Sequence, residues 1–261
     1  MTALLSSLDD RGVATLTLNR PEVHNAFDDA LIAQLNEEIS RFSRHPDVRL
    51  LVLNATGKSF SAGADLGWMK RMASYSQEAN LADAAELERL MQSLYAFPKP
   101  TLAVVQGAAY GGAVGLVSCC DIAIASSSAS FALSEAKLGL APAVISPYVV
   151  AAIGARQASR YFLSAERFEA TRAASLGLVH EVVAPEMLES AADALIVTLL
   201  ANGPVALMAC KRLLREISPA SNDALREYTT TLIASLRTSQ EGQEGLGAFF
   251  EKRPPAWQET R

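Results

Sequence analysis

Glu135 sits between apolar stretches, in Phe131-Ala132-Leu133-Ser134-Glu135-Ala136-Lys137-Leu138-Gly139, directly after a predicted strand. A carboxylate in such surroundings has a raised pKa and can exchange protons near neutrality. An ion pair with Lys137 or a surface arginine is the structural alternative. A second candidate group is backbone rather than side chain. The predicted strand over 101–106 runs through Gly107-Ala108-Ala109-Tyr110-Gly111-Gly112 into an apolar helix over 113–120. A helix that starts on a glycine turn presents unpaired N–H groups and the positive end of its dipole, so it accepts an anion or a developing oxyanion. The third candidate is Ser59-Phe60-Ser61-Ala62-Gly63-Ala64-Asp65-Leu66, whose small residues leave the backbone open to a ligand. Two converging N–H groups from these turns would make an oxyanion hole, each donor worth about 2.7–4 kcal/mol in acyl-type chemistry. Taken singly, each segment also reads as packing: glycines for close helix–strand contact, and a small-residue turn capped by Asp65 before a helix.

Other chemistries fit less well. The glycines fall at 107, 111, 112 and 115, so G-x-G-x-x-G is absent, and Glu135 lies too far on to hold a ribose. No G-x-S-x-G elbow occurs, and no His/Cys/carboxylate cluster has metal-site spacing, so neither a serine hydrolase nor a metal is expected. His24 reads equally as a turn residue or a ligand contact, and His45 and His180 as surface or packing residues. Lys58, Lys70 and Arg71 could meet phosphates or a carboxylate, with a solvated helix face the default for the last two.

The elements that must position these groups follow from hydrophobic periodicity. Residues 13–19 alternate with Ala14, Leu16 and Leu18 on one face, the period of a strand. Asp28 can cap a helix carrying Leu31, Leu35, Ile39 and Phe42, and a second helix carries Leu87, Leu90, Met91 and Leu94. Residues 50–54, 122–125 and 130–133 add buried strands. This alternation predicts an α/β fold with a largely parallel sheet covered on both faces. Beyond Ile145 the pattern is mostly helical, with helices over 185–201, 204–217, 222–236 and 239–250, a brief extended stretch over 177–183, Ser218-Pro219 as a break, and Trp257 in a basic tail. Residues 1–200 read as the core and 201–261 as a helical C-terminal region.

Half of the 261 residues are hydrophobic and 20% are charged, enough for a sizeable core and unlike a disordered chain. Three cysteines suit a reducing compartment, and the cytoplasm is expected; Cys119 and Cys120 read as small core residues. A net charge of −5 argues against nucleic acid as a partner. The first ten residues lack a secretory pattern. Residues 101–120 carry no charge over about a membrane-spanning length. Four glycines interrupt them, so a strand, a turn and a buried helix are expected and no membrane span.

Several marks together resemble the crotonase (enoyl-CoA hydratase/isomerase) superfamily over nearly the whole chain. They are Leu18-Asn19-Arg20-Pro21 with Asn25-Ala26, Ser61-Ala62-Gly63-Ala64-Asp65-Leu66, Gln106-Gly107 with Tyr110-Gly111-Gly112, and Cys120-Asp121-Ile122. Pro204, Lys211 and Phe250-Glu251-Lys252-Arg253-Pro254 complete the set. The resemblance implies a ββα spiral core with a helical C-terminal trimerisation region, a homotrimer or a hexamer made of two trimers, and an acyl-CoA substrate. Coenzyme A is then part of the substrate, and no separate cofactor is implied. It assigns the oxyanion donors to the N–H groups of Ala64 and Gly112 and acid–base work to Glu135. It places coenzyme A beside Asn25, Ala26, Ala62, Asp65 and Leu66, with Lys252 on its phosphates.

Departures from the family pattern sharpen the expectation. Hydratases that this chain resembles hold water between two glutamates, and the first position is Gly115 here. A missing acid–base group costs about 10²–10⁴ in rate unless replaced; Tyr148, Ser146, Tyr75 or a distal carboxylate of the substrate are the candidates. The glycine-rich turn after Leu138-Gly139 is replaced by Pro142-Ala143-Val144-Ile145-Ser146-Pro147-Tyr148, which implies an unusual acyl group. Gly63 to Lys70, Gly115 to Asp121 and Ala141 to Tyr148 resemble bacterial methylglutaconyl-CoA and isohexenylglutaconyl-CoA hydratases, which act in leucine and acyclic-terpene breakdown. Gly115 would then leave room for the substrate's branch. The alternatives are a single-glutamate enoyl-CoA isomerase and, in another class, a non-catalytic or RNA-binding module.

Overall fold

A computed structural model describes residues 2–216 and 223–255. The expected Ser218-Pro219 break and Trp257 lie outside the described residues. The chain opens with strands β1 (Leu4–Leu8) and β2 (Val13–Leu18), helix α1 (Asp29–Arg44) and strand β3 (Leu50–Ala55). Helices α2 (Leu66–Met72) and α3 (Gln77–Tyr95) follow, then β4 (Thr101–Val105), β5 (Ala108–Tyr110), α4 (Gly112–Cys119), β6 (Ile122–Ser126) and β7 (Ser130–Ala132). Next come α5 (Ser146–Ile153), α6 (Ala155–Ser164), β8 (Phe168–Glu169), α7 (Ala170–Leu176) and β9 (Glu181–Val183). The chain then runs through α8 (Leu188–Leu200), α9 (Pro204–Glu216), α10 (Asp223–Thr238) and α11 (Gln240–Phe250).

The larger sheet has the order β1-β2-β3-β4-β6-β9, and every pairing beyond the first is parallel. Both faces are covered, as the near-continuous apolar strands require. Along β3, Leu51 and Leu53 point into the main core with α1, α3 and α4, while Leu50 and Val52 meet Leu188, Ala192 and Ile196 of α8. Side chains capping the helices set their starts: Asp28 accepts from Leu31 N at 2.9 Å and Ser76 from Ala79 N at 3.2 Å.

Two strands lacked a sequence signal. In β1 only Leu4 is buried, so its pairing with β2 rather than its pattern makes it a strand. The expected run from strand through glycines into a helix is also interrupted. After β4 the chain leaves the larger sheet and forms β5, which joins a second sheet of order β5-β7-β8. Residues 101–120 are thus two strands and a buried helix. No single helix among the described residues is long and apolar enough to cross a membrane.

The C-terminal helices return to the core. Arg226 on α10 pairs with Glu88 on α3 at 3.4 Å, and Arg237 with Asp83 at 2.8 Å. On the opposite side Lys211 of α9 is 6% exposed; its Nζ donates to Lys99 O at 3.0 Å and to Asp121, whose Oδ2 also accepts from Thr101 N at 2.8 Å. Lys211 is buried but Asp121 is exposed, so solvent screens the pair and the lost hydrogen bonds to Thr101 carry much of the cost. Asp121→Ala is therefore expected to destabilise the protein by about 1–2 kcal/mol, lowering the thermal midpoint by about 2–8 °C. Thermal unfolding at pH 7 checks this, with Asp121→Asn falling between the two because it keeps an acceptor.

Candidate active site

The two small-residue turns are stapled together. Ser61 N donates to Ala108 O at 3.0 Å and Tyr110 N to Ser61 O at 3.0 Å, a parallel bridge between the 59–66 turn and β5. Close packing around this bridge and around Phe27 requires glycine at two turn positions. Gly63 has φ +88, and a Cβ there would lie 2.8 Å from Tyr110 O; a Cβ on Gly112 would lie 2.5 Å from Phe27 Cζ. Gly111, at φ +55, turns the chain into α4, and its N–H is tied to Ala132 O at 2.8 Å.

The same geometry leaves two amides unused. Phe27 N donates to Gly63 O at 2.9 Å and Asp65 N to Phe27 O at 3.0 Å, whereas Ala64 N, between them, has no acceptor among the described residues. Gly112 N opens α4 and is likewise without an acceptor. Ala64 and Gly112 both line one cavity of about 720 Å³. Two unpaired donors in one wall, one of them at a helix start, form a site for a developing negative charge.

Glu135 lines this cavity too. Phe131 and Leu133 are fully buried and anchor the segment, and a single 3-10 turn (Glu135–Leu138) closed by Gly139 at φ +68 fixes the glutamate's place. Its Oε1 lies 3.4 Å from where a Cβ of Gly111 would be, which sets the carboxyl beside the second amide turn. Its Oε2 is buried and has no hydrogen-bond partner. The ion-pair alternative is not realised: neither Lys137 nor an arginine pairs with Glu135 among the described residues. Burial with no compensating cation pushes its pKa up to about 7.

Of the other expected ligand contacts, Ala26, Ala62, Asp65 and Leu66 line the cavity. Asp65 also caps α2, accepting from Gly67 N at 2.8 Å, and takes Arg20 Nη2 at 3.1 Å; Arg20 Nη1 in turn holds Ala26 O at 2.8 Å. Four expected contacts do not line it. Asn25 is fully buried, and its Nδ2 donates to Thr56 O at 2.7 Å and Ser59 O at 2.8 Å, which makes it a staple between loops. Tyr148 is buried against Tyr95 with its hydroxyl on Gln92 Oε1 at 3.3 Å. Lys252 is exposed in the turn after α11. Gly115 is buried inside α4, and the expected room for a branch is already filled: a Cβ there would meet Ile145 Cγ2 at 2.3 Å and Met91 Sδ at 3.2 Å.

Ile145, from the altered 142–148 segment, thus packs against Gly115 and presents its own side chain to the cavity. Ser146 donates to Ala143 O at 2.7 Å, and neither it nor Tyr75 reaches the wall, so none of the three side chains considered as a second water-holding group is in the cavity. Periodicity alone gave no hint of Phe27, Trp68 and Arg237, which complete the wall.

An unpartnered buried carboxyl makes stability depend on pH. The unfolded chain releases this proton near the ordinary 4.5 and the folded chain near 7, so stability falls between those values and stays lower above them. Glu135→Gln, which cannot ionise, is expected to be more stable than the parent at pH 8 by up to roughly 3 kcal/mol, and nearly equal to it at pH 4. Urea unfolding at both pH values checks the sign.

The enoyl-CoA hydratase/isomerase family model matches residues 9–260. A 2,3-dehydroadipyl-CoA hydratase of Escherichia coli is 33% identical, covering 98% of each chain. A trans-2-decenoyl-[acyl-carrier-protein] isomerase of Streptococcus mutans is also 33% identical, over 94% of each. The crystal structure of an enoyl-CoA hydratase from Shewanella pealeana superposes with a TM-score of 0.81 at 49% identity, covering 98% of this chain and 96% of that one. The chain belongs to the enoyl-CoA hydratase/isomerase family.

Proposed function

We propose that the protein adds water across the double bond of a branched, glutaconyl-type enoyl-CoA, such as 3-methylglutaconyl-CoA or isohexenylglutaconyl-CoA, in leucine or acyclic-terpene breakdown. The observation that carries this reading is the pairing of two unused amides, of Ala64 and Gly112, with an unpartnered glutamate in one cavity wall. The thioester oxygen accepts from both amides, which draws charge from C3 and stabilises the enolate that forms. Glu135, as carboxylate, takes a proton from water while the oxygen bonds to C3. It then returns a proton to C2 on the same face, so the glutamate is regenerated and the elements of one water are added. The coenzyme A portion leaves the cavity past His24, Ala62 and the 57% exposed Leu66.

A second reading keeps the same parts. Ile145 rather than a second carboxylate lies over Gly115, and a single base suffices to move a proton between C2 and C4, as in an enoyl-CoA isomerase. A non-catalytic or RNA-binding role has no comparable support. Assembly into trimers or hexamers agrees with the exposed Val197 of α8 and Val205, Leu213 and Leu214 of α9. Three free cysteines agree with a reducing, cytoplasmic setting.

Incubation with 3-methylglutaconyl-CoA is expected to bleach the conjugated enoyl-thioester absorbance with a mass gain of one water. An isobaric product would move the assignment to the isomerase. Glu135→Gln is expected to lower kcat by about 10²–10⁴ while remaining folded. Because the resting base must be ionised, kcat/KM of the parent is expected to rise through pH 7 and level off above it. A rate that falls through that range would make Glu135 an acid instead.

A further inference from the structure

Much of the cavity wall is apolar, with Met69, Met72, Leu87, Val144, Ile145 and Ile233. Among the described wall residues there is one arginine and no lysine, and that arginine is Arg237 on α10. It is 5% exposed. Its Nη1 donates to Asp83 Oδ2 at 2.8 Å, and the other oxygen of Asp83 accepts from Trp68 Nε1 at 2.9 Å. Trp68, itself a wall residue, lies with its ring 5.9 Å from the guanidinium carbon.

Both oxygens of Asp83 are thus engaged, while two nitrogens of the guanidinium are not. The Nε and Nη2 donors of Arg237 have no hydrogen-bond partner among the described residues. Arginine presents five N–H donors in a planar fork that can take a carboxylate on more than one edge. Burial, which Asp83 only partly opposes, holds the Arg237 pKa below the ordinary arginine value, so one carboxylate does not offset the full desolvation of this cation. A purely structural tie between α10 and α3 would not need to stand in the wall of a substrate cavity. Arg226 makes the same tie with Glu88 and lines no part of that wall.

We infer that Arg237, held in place by Asp83 and Trp68, is the specificity-determining residue for the far end of the acyl chain and selects enoyl-CoA substrates that end in a second carboxylate. This rests on the enoyl-CoA reading above and names the residue that reads the acyl tail. A chain ending in a methyl group would leave the unpaired donors of Arg237 facing hydrocarbon, which is how a polar site rejects an apolar analogue.

The test uses two pairs of thioesters that differ only by the terminal carboxylate: glutaconyl-CoA against crotonyl-CoA, and 3-methylglutaconyl-CoA against 3-methylcrotonyl-CoA. The parent enzyme is expected to favour the acid member of each pair by about 10- to 100-fold in kcat/KM. Arg237→Gln is expected to erase that preference, mainly through KM. Because this variant strands Asp83, the double variant Asp83→Asn/Arg237→Gln, which removes both charges, is measured beside it and is expected to lose the preference equally. Turnover of both members with no preference, or a preference that survives in a folded double variant, overturns the role of Arg237 and leaves the enoyl-CoA reading intact. Failure of the parent to transform any of the four overturns the short-chain glutaconyl-CoA reading on which this assignment rests.

Discussion

Everything chemical in this protein depends on two turns lying closer than side chains allow. The bridge between Ser61 and β5 brings Tyr110 O against Gly63, and the ring of buried Phe27 lies against Gly112, so neither position has room for a Cβ. Alternation along the bridged segment then pairs the amides of Asp65 and Phe27 but not that of Ala64. The second unused amide comes from helix geometry, since the first N–H of α4 has no carbonyl to reach. The donors are thus by-products of backbone packing. They need no functional side chain, and their direction is fixed before any ligand arrives.

Glu135 is placed by the opposite means. Its neighbours Phe131 and Leu133 are driven into the core, and the turn ending at Gly139 leaves its carboxyl at the cavity wall with one oxygen buried and unpartnered. A carboxyl left without a cation is a net cost to folding, and the same cost is what moves its proton affinity into the neutral range. Stability and reactivity here are two readings of one desolvation.

Legibility of the site in the sequence followed the range of the interactions. The helix caps, the alternating β2 and the glycine turns are local, and each could be read from a few neighbours. The turns that hold Ala64 and Gly112 and the apolar setting of Glu135 were legible for that reason, whereas the choice of those two amides came from the family resemblance. Gly115 could be seen to lack a carboxylate, but the consequence could not be read, because what fills the space is Ile145 from a distant loop. Asn25 looked like a ligand contact because it lies in the right loop; only the carbonyls of Thr56 and Ser59 show that it is a staple. β1 and β5 are strands by virtue of their partners. Arg237 is the extreme case, since its partner Asp83 is 154 positions away and α10 has the pattern of any packed amphipathic helix.

Ile233, Arg237, Leu246 and Phe249, which close the cavity, all belong to the last two helices of the described chain. The two amides and the glutamate come from earlier in the chain, between Ala64 and Glu135. The turn that carries Glu135 also packs on α11, with Gly139 against the backbone of Glu241, so the last helices support the glutamate as well as covering the cavity. A chain cut before residue 223 would therefore lack both the cavity's cover and the packing partner of the Glu135 turn, so the site is assembled from both ends of the described chain.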